Sequence, residues 1–546
     1  MIRIEQEEVH FPADQEDDNL SLDLPSSSSS SRGLVEPAAA PATLVEACGE
    51  ATALTLPWYS NPLQVTAMLS NFSTSYNAVN ISLVLPILEQ LHSHTSETDA
   101  AAVASSLLAG MIVGQLIGGF LGDTRLGRLG ALRAVMVLQI FASLGSAFAI
   151  SEAYGLYVQL AAWRFVLGVG AGGVYPLAAV LSAEQGGTGH DKNAIADEAS
   201  LHRVVLTFST QGLGFVAVPL VTVPLLYTVD NLNVVWRIVL ALGSLPGILL
   251  LLLQWRQHHQ HNGGGDRRAV PLHEPGRNAI QDEGNNEDSD GEIGTILDSV
   301  VDGVETEGVF RAEIAQEEQS HARHGWSEAI RHEERLFQKL LGTAATWFLF
   351  DVLFYGNTLF QPIVIEAAFG AREHSNPLHL LQRTAVNSLI LTSIALPGYA
   401  VAGLVMGKRT WGIVQTPRFV MLQGFAAMSV LYLIIGIYWK DLRHYPLLLV
   451  FLYGSTFFFA NYGPNTTTFV LPSLVYSEEC RSTLNGISAA AGKFGALVGA
   501  TLFAPAADSF GDAAIMLICS FIAVLAFMMT TFFVRLRVEH TSDGVV

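Results

Sequence analysis

The sequence predicts an all-α membrane protein of twelve transmembrane helices in two six-helix halves, and three observations predict it. Half of the 546 residues are hydrophobic and only 14% are charged, far from the composition of a soluble globular chain. Twelve apolar windows are long enough to cross a hydrocarbon core of about 30 Å. Six of these windows precede one long hydrophilic gap and six follow it.

Residues 1–60 open with acidic clusters, then LPSSSSSSRG and an Ala/Pro stretch, and are expected to form a disordered tail. No basic start is followed by an apolar core, so the tail resembles neither a signal peptide nor a transit peptide, and the first span has to act as the insertion signal. The first half, residues 61–255, holds windows at 63–91, 100–121, 129–150, 157–181, 204–227 and 234–255. Residues 256–338 form a polar linker. Between Gln281 and Ser320 thirteen acids meet one base, Arg311, which is too charged a segment to pack a core. The second half, residues 339–534, holds windows at 340–368, 386–406, 419–438, 447–475, 486–506 and 513–533, before a tail at 535–546.

Much of the net charge of −20 lies in the tail and linker, so it describes solvated segments and gives no reason to expect a nucleic acid partner. Cys48, Cys480 and Cys519 have no repeated spacing and suggest neither a disulfide framework nor a metal site. No Walker loop, zinc spacing or nucleophile elbow is present, so neither an enzyme, an ATP-driven pump nor a cofactor is expected. Arg125, Arg128 and Arg133 follow the second span, Lys408, Arg409 and Arg418 follow the eighth, and Arg535 and Arg537 follow the last. The opposite loops at 92–99, 151–155 and 508–512 carry no Lys or Arg, although Arg372, Arg383, Lys440 and Arg443 break the pattern elsewhere on that side. The positive-inside rule therefore puts both termini and the linker in the cytoplasm.

The chemistry centres on the seventh span, LGTAATWFLFDVLFYGNTLFQPIVIE, which carries Asp351 near its middle. A charge at the centre of a span costs roughly 2.5–3.5 kcal/mol on insertion scales, so it implies a partner or a substrate. Trp347, Asp351 and Tyr355 are four apart and share one helix face. Lys493 sits inside the eleventh span with no basic neighbour. The two charges suit either a static interhelical ion pair or a pocket for a small oxyanion, in which Tyr, Trp, Gln and Asn donors surround a cation. Tyr175, beside Pro176 in the fourth span, is a second polar group at depth, whereas Gly168 and Gly172 have the spacing of close helix packing. Arg164 and Arg237 are expected to cap or snorkel at span ends.

A weak repeat links the halves. Gly119-Phe-Leu-Gly-Asp123-Thr-Arg125-Leu-Gly127-Arg128 follows the second span, and Gly403-Leu-Val-Met-Gly407-Lys408-Arg409 follows the eighth, without the acid. The first copy resembles the short signature of the major facilitator superfamily, with one residue inserted between the acid and the first Arg. The resemblance implies the major facilitator fold, with Asp123, Arg125 and Arg128 latching the cytoplasmic side.

Longer blocks resemble the phosphate:proton symporters of that superfamily. Gly170-Ala-Gly172-Gly173-Val174-Tyr175-Pro176-Leu177 with Glu184 is similar to their fourth-helix signature GxGGDYPLSAxxxSE. Thr210-Gln211-Gly212-Leu-Gly214 is similar to MQGxG, and TWFLFDVLFY to TWFLLDxxFY. Asn461-Tyr-Gly-Pro-Asn465-Thr-Thr-Thr-Phe469 and the block from Arg481 through Gly486 and Gly492 to Lys493 are close to NFGPNTTTF and RSTxHGISAASGK. The resemblance implies a phosphate pocket made of Tyr175, Gln211, Trp347, Asp351, Tyr355, Asn465 and Lys493. It implies a plasma-membrane transporter that imports inorganic phosphate by ion-coupled symport and alternating access. A carrier of another small anion or an organophosphate, and a phosphate receptor signalling through the acidic linker, remain as alternatives.

Three of the family's acids are missing. Thr74 and Asn77 stand where the first helix should carry carboxylates, and Val174 stands where the fourth should, and none of the three exchanges protons in the working pH range. Three coupling modes stay open: Asp351 alone couples a proton, the oxygen-rich first span with Thr74, Asn77 and Asn80 binds Na⁺, or transport is uncoupled.

Overall fold

The structure, a computed structural model, describes residues 61–92, 97–124, 126–150, 153–184, 194–264, 326–369, 376–410 and 412–534. The predicted tails and most of the linker lie outside the described residues. The first span is formed by α1 (Pro62–Val79) and α2 (Ile81–Leu91). Asn61 starts it, its side-chain oxygen accepting from the backbone N–H of Leu63 at 3.0 Å and of Gln64 at 3.2 Å, with Pro62 in the first turn. Asn80 joins the two pieces in helical geometry (φ −59°, ψ −29°), and its N–H still bonds Tyr76 O.

The next spans are α3 (Glu97–Gly122), α4 (Gly127–Ala147), α5 (Ala153–Glu184) and α6 (Ala194–Thr228). The sixth span is α7 (Leu232–Leu242) followed by α8 (Leu245–Gly264). After the linker come α9 (Trp326–His332) and α10 (Leu336–Leu340), then a π-helical turn at Leu341–Ala345 leading into α11 (Thr346–Phe369), the seventh span. The eighth is α12 (Pro377–Val405) and the ninth is α13 (Pro417–Ile437). A two-residue antiparallel hairpin, β1 (Arg409–Thr410) with β2 (Ile413–Val414), joins them, which the sequence did not signal. After α14 (Trp439–Leu442), the tenth span is α15 (Pro446–Ala460), a π-helical turn at Asn461–Asn465 and α16 (Thr466–Val475). The last two are α17 (Arg481–Phe510) and α18 (Asp512–Phe533).

Among the described residues eleven helices are long and apolar enough to cross a membrane. The twelfth predicted window, 63–91, is occupied by α1 and α2. Its buried Ser, Thr and Asn residues lower its hydropathy, so length and composition alone pass it over. Large apolar side chains such as Phe141, Leu220, Phe451 and Phe521 are exposed, while Gln, Asn, Ser and Thr are buried. This arrangement suits a hydrocarbon solvent that satisfies no polar group.

The predicted small-residue contact is present. A Cβ at Gly168 would stand 2.3 Å from Leu107 O and one at Gly172 2.3 Å from Met111 O, so α5 lies on α3 at backbone distance. Between the halves, α3 packs on α17, α6 on α12, and α16 on both α5 and α6. One apolar core runs through these contacts, joining Tyr175 and Phe208 of the first half to Trp347, Tyr399 and Phe469 of the second.

Arg164 departs from expectation. It is fully buried inside α5, not snorkelling at a span end. Its Nη1 donates to Asn80 Oδ1 at 2.8 Å and its Nη2 to Asn77 O at 2.9 Å. The first span carries enough buried oxygen to hold a guanidinium that lipid could not.

Candidate functional site

Lys493 is the centre of the site. It lies within α17 and is 3% exposed, so its ammonium has to find partners inside the protein. Its Nζ donates to Asp351 Oδ2 at 2.8 Å and to the Tyr355 hydroxyl at 3.2 Å. It also stands 4.7 Å from the ring centre of Tyr355 and 5.5 Å from that of Tyr175 in the other half. The approach of α17 to α11 is set by Gly492, where a Cβ would fall 2.4 Å from Trp347 Cδ1. Trp347, one turn before Asp351, is thereby packed against the residue next to Lys493.

The other predicted pocket residues converge here from three further helices. Tyr175 donates its hydroxyl to Gln211 Oε1 at 3.1 Å, linking α5 to α6. Asn465 closes the π-helical turn of the tenth span, where Pro464 has no N–H to give. Its Nδ2 donates to Asn461 Oδ1 at 2.8 Å and to the Tyr399 hydroxyl at 3.0 Å. Gln211 Nε2 reaches the same Tyr399 hydroxyl at 3.5 Å. All seven residues lie around one buried locus between the halves. Tyr399 of α12, which the sequence reading did not single out, lies among them and bridges Gln211 to Asn465. Its only sequence signal is a lone hydroxyl after Pro397-Gly398 in an apolar span.

Aromatic rings line the site on the side toward Asp123. Phe208, one turn from Gln211, and Phe469, one turn from Asn465, have ring centres 4.7 Å apart. Phe469 also meets Tyr175 edge-on at 6.1 Å, and Phe208 meets Tyr399 at 5.7 Å. The two halves thus touch directly beneath the pocket.

Beyond that contact lies the predicted latch. Asp123 accepts from the backbone N–H of Ser482 at 3.1 Å and of Thr483 at 2.6 Å, so a carboxylate from the first half caps a helix of the second. Burial pushes the Asp123 carboxyl above the usual range, against the pull of Arg128 and these two bonds. Arg128 pairs with Glu184 at 2.7 Å and donates to Glu478 O at 2.7 Å, and Glu184 pairs across the interface with Arg481 at 2.9 Å. Asp123 and Arg128 therefore both bond across to the second half, whereas Arg125 lies outside the described residues.

The candidate cation ligands lie on one span, and each makes a hydrogen bond within the first half. Thr74 Oγ1 donates to Gln139 Oε1 at 3.1 Å, Asn77 Oδ1 accepts from Ser143 Oγ at 3.3 Å, and Asn80 Oδ1 accepts from Arg164. A cation about 5 Å from that guanidinium would meet a repulsion of roughly 3 kcal/mol at an effective dielectric of 20. Na⁺ at Thr74, Asn77 and Asn80 would have to share Asn80 with the Arg164 guanidinium. Val174 is buried among apolar neighbours of the first half.

A family model described as the Major Facilitator Superfamily matches residues 67–500. A relative from Oryza sativa subsp. japonica, probable inorganic phosphate transporter 1-12, is 31% identical over 497 residues, covering 83% of this chain and 82% of its own. Inorganic phosphate transporter 1-1 of Arabidopsis thaliana is 31% identical, with 82% and 84% covered. Among solved structures, the proton:xylose symporter XylE bound to 6-bromo-6-deoxy-D-glucose superposes with a TM-score of 0.61, over 87% of this chain and 95% of that one, at 17% identity. At that identity the likeness shows the fold.

Proposed function

Because the chain belongs to the major facilitator superfamily and, within it, to the family of the inorganic phosphate transporters, we propose that it imports inorganic phosphate by proton-coupled symport across the plasma membrane. The observation that carries this reading is the buried triad of Lys493, Asp351 and Tyr355, facing Tyr175 and Gln211 of the other half.

A phosphate anion offers Lys493 a replacement for Asp351. Once the ammonium binds phosphate, Asp351 becomes a buried carboxylate without its cation, a state that costs several kcal/mol and is relieved by taking up a proton. Phosphate and proton then bind together, and the site changes its charge little as the halves rock about it. Asp351 also gives an acceptor for a P–OH hydrogen, which sulfate, fully ionised, does not offer. The empty site pairs Lys493 with Asp351 again, so it too can reorient without an exposed charge. On this reading the aromatic contact of Phe208 with Phe469 and the latch of Asp123 and Arg128 close the cytoplasmic exit, both termini being cytoplasmic. The reading takes proton over Na⁺ because Asn80, one of the three alternative cation ligands, already accepts from the Arg164 guanidinium.

The test is uptake of radiolabelled phosphate into proteoliposomes holding the full chain, under a proton gradient alone and a Na⁺ gradient alone. Uptake should follow the proton gradient and persist when choline replaces Na⁺. Saturable phosphate binding without uptake would sink the transporter reading, and uptake driven by Na⁺ alone would sink the proton assignment.

A further inference from the structure

Asn465 does not have the donors that the pocket needs from it. The polarity of its hydrogen-bond chain is set by a backbone carbonyl, which can only accept: Asn461 Nδ2 donates to Ala395 O at 3.2 Å. Asn461 therefore presents its Oδ1 to Asn465, and Asn465 presents its amide nitrogen, whose two hydrogens go to Asn461 Oδ1 and to the Tyr399 hydroxyl. Gln211 Nε2 approaches that hydroxyl as a second amide donor. The Tyr399 oxygen is thus an acceptor twice over, and among the described residues no acceptor takes its own proton. A buried O–H without an acceptor is costly, roughly 1–3 kcal/mol. The phenol is 1% exposed, and its hydroxyl stands between Gln211 and Asn465, two of the residues around Lys493.

We propose that Tyr399 is an eighth ligand of the substrate anion: its hydroxyl proton is donated to a phosphate oxygen, while its oxygen takes the donors of Gln211 and Asn465. Asn465 then acts through Tyr399, polarising it as a donor. The amide order also ties the anion to both halves at once, because Gln211 belongs to the first and Asn465 to the second. The inference rests on the phosphate reading of the pocket.

The test is phosphate binding to the full-length purified chain by calorimetry, for the unaltered protein, for Tyr399→Phe, and for the chain with 4-aminophenylalanine at position 399. Phe keeps the ring contact with Phe208 and removes the donor, and the aniline restores an N–H donor while accepting poorly. Tyr399→Phe should weaken phosphate binding by roughly ten- to a hundredfold, the worth of a hydrogen bond to a charged group, and the aniline should recover most of it. The melting temperature without phosphate should fall for Tyr399→Phe, which orphans the amide donors of Asn465 and Gln211, and the further rise on adding phosphate should shrink. Binding by Tyr399→Phe within twofold of the unaltered chain would overturn this inference alone. Equal weakness of both variants would assign Tyr399 to holding Gln211 and Asn465, and so overturn the donor role. Absence of phosphate binding by the unaltered chain would overturn the reading of the pocket, and this inference with it.

Discussion

Among the described residues, each half buries one basic residue deep in a span, and the two are held in opposite ways. Arg164 in the first half is 0% exposed and is gripped by Asn80 Oδ1 and Asn77 O, both neutral. Lys493 in the second is 3% exposed and is held by a carboxylate and a phenol. A planar guanidinium forked onto two fixed oxygens is a structural tie, and removing it leaves two orphaned acceptors. An ammonium paired with one carboxylate is a point charge whose partner another anion can replace. The difference puts exchangeable charge in the second half and leaves the first as a hydrogen-bonded scaffold, in which Gln139, Ser143 and the oxygens of α1 satisfy one another.

The comparison breaks if the ion pair is only another tie. Lys493→Met combined with Asp351→Asn removes both charges and leaves no buried charge unpaired, whereas Lys493→Met alone strands a carboxylate and should cost about 3–5 kcal/mol of stability. The double variant should fold, melt near the unaltered chain and show uptake reduced by more than about a hundredfold, since the charged contacts to phosphate are gone. Normal uptake by the double variant would mean that the pair ties α11 to α17 and nothing more.

The next variant sharpens the comparison by giving the first half what the second has. Asn80→Asp places a carboxylate against Arg164, where 2.8 Å now separates guanidinium and amide oxygen. Phosphate affinity at neutral pH should change by less than about threefold, because Tyr175, the nearest pocket residue on α5, is eleven residues or about 16 Å along the helix from Arg164. The pH profile of uptake should gain a second titration. A profile identical to that of the unaltered chain would show that a carboxylate at this depth stays locked to Arg164 and is no route to coupling.

How legible each half was follows from the same contrast. The spans of both halves could be read from hydropathy because lipid demands apolar surface, and the first span was the marginal one because its interior face is polar. The buried ion pair could be read because Asp351 and Lys493 are anomalous inside apolar segments, and Trp347 and Tyr355 share a face with Asp351 by helical spacing. Arg164 was misplaced because its partners, Asn77 and Asn80, are neutral and distant in sequence. Tyr399 had no spacing to mark it, and the commitment of both Asn465 hydrogens depends on a carbonyl, Ala395 O, that no residue pattern reveals.

The latch tests how firmly the halves are joined away from the pocket. Asp123→Ala removes the cap on Ser482 and Thr483, and capping residues contribute about 0.5–2 kcal/mol. The latched state should lose population by a few fold, read as faster thiol labelling at Cys480, which is buried beside this contact. Uptake should change less than in the pocket variants, since Arg128, Glu184 and Arg481 still join the two sides.

The smallest effect is expected where the linker meets the second half. Glu333, just after α9, pairs with Lys339 and accepts from the Ser477 hydroxyl and, at 3.2 Å, from its N–H. Burial alone would raise its carboxyl, but the bonds from Lys339 and Ser477 outweigh that and hold it below the usual carboxylate range. A lowered acid contributes stability that is fully present above its unfolded value and lost only as pH falls through the folded one. Hydrogen exchange across 326–332 should therefore be flat, once corrected for intrinsic rates, from pH 8 down to about pH 5. Glu333→Gln should speed exchange there by a few fold while leaving phosphate uptake within about twofold, since its partner Lys339 is partly exposed and the pairing correspondingly screened. A larger loss of uptake would mean that this contact governs the neighbouring latch, and the second half would then carry its control as well as its exchangeable charge.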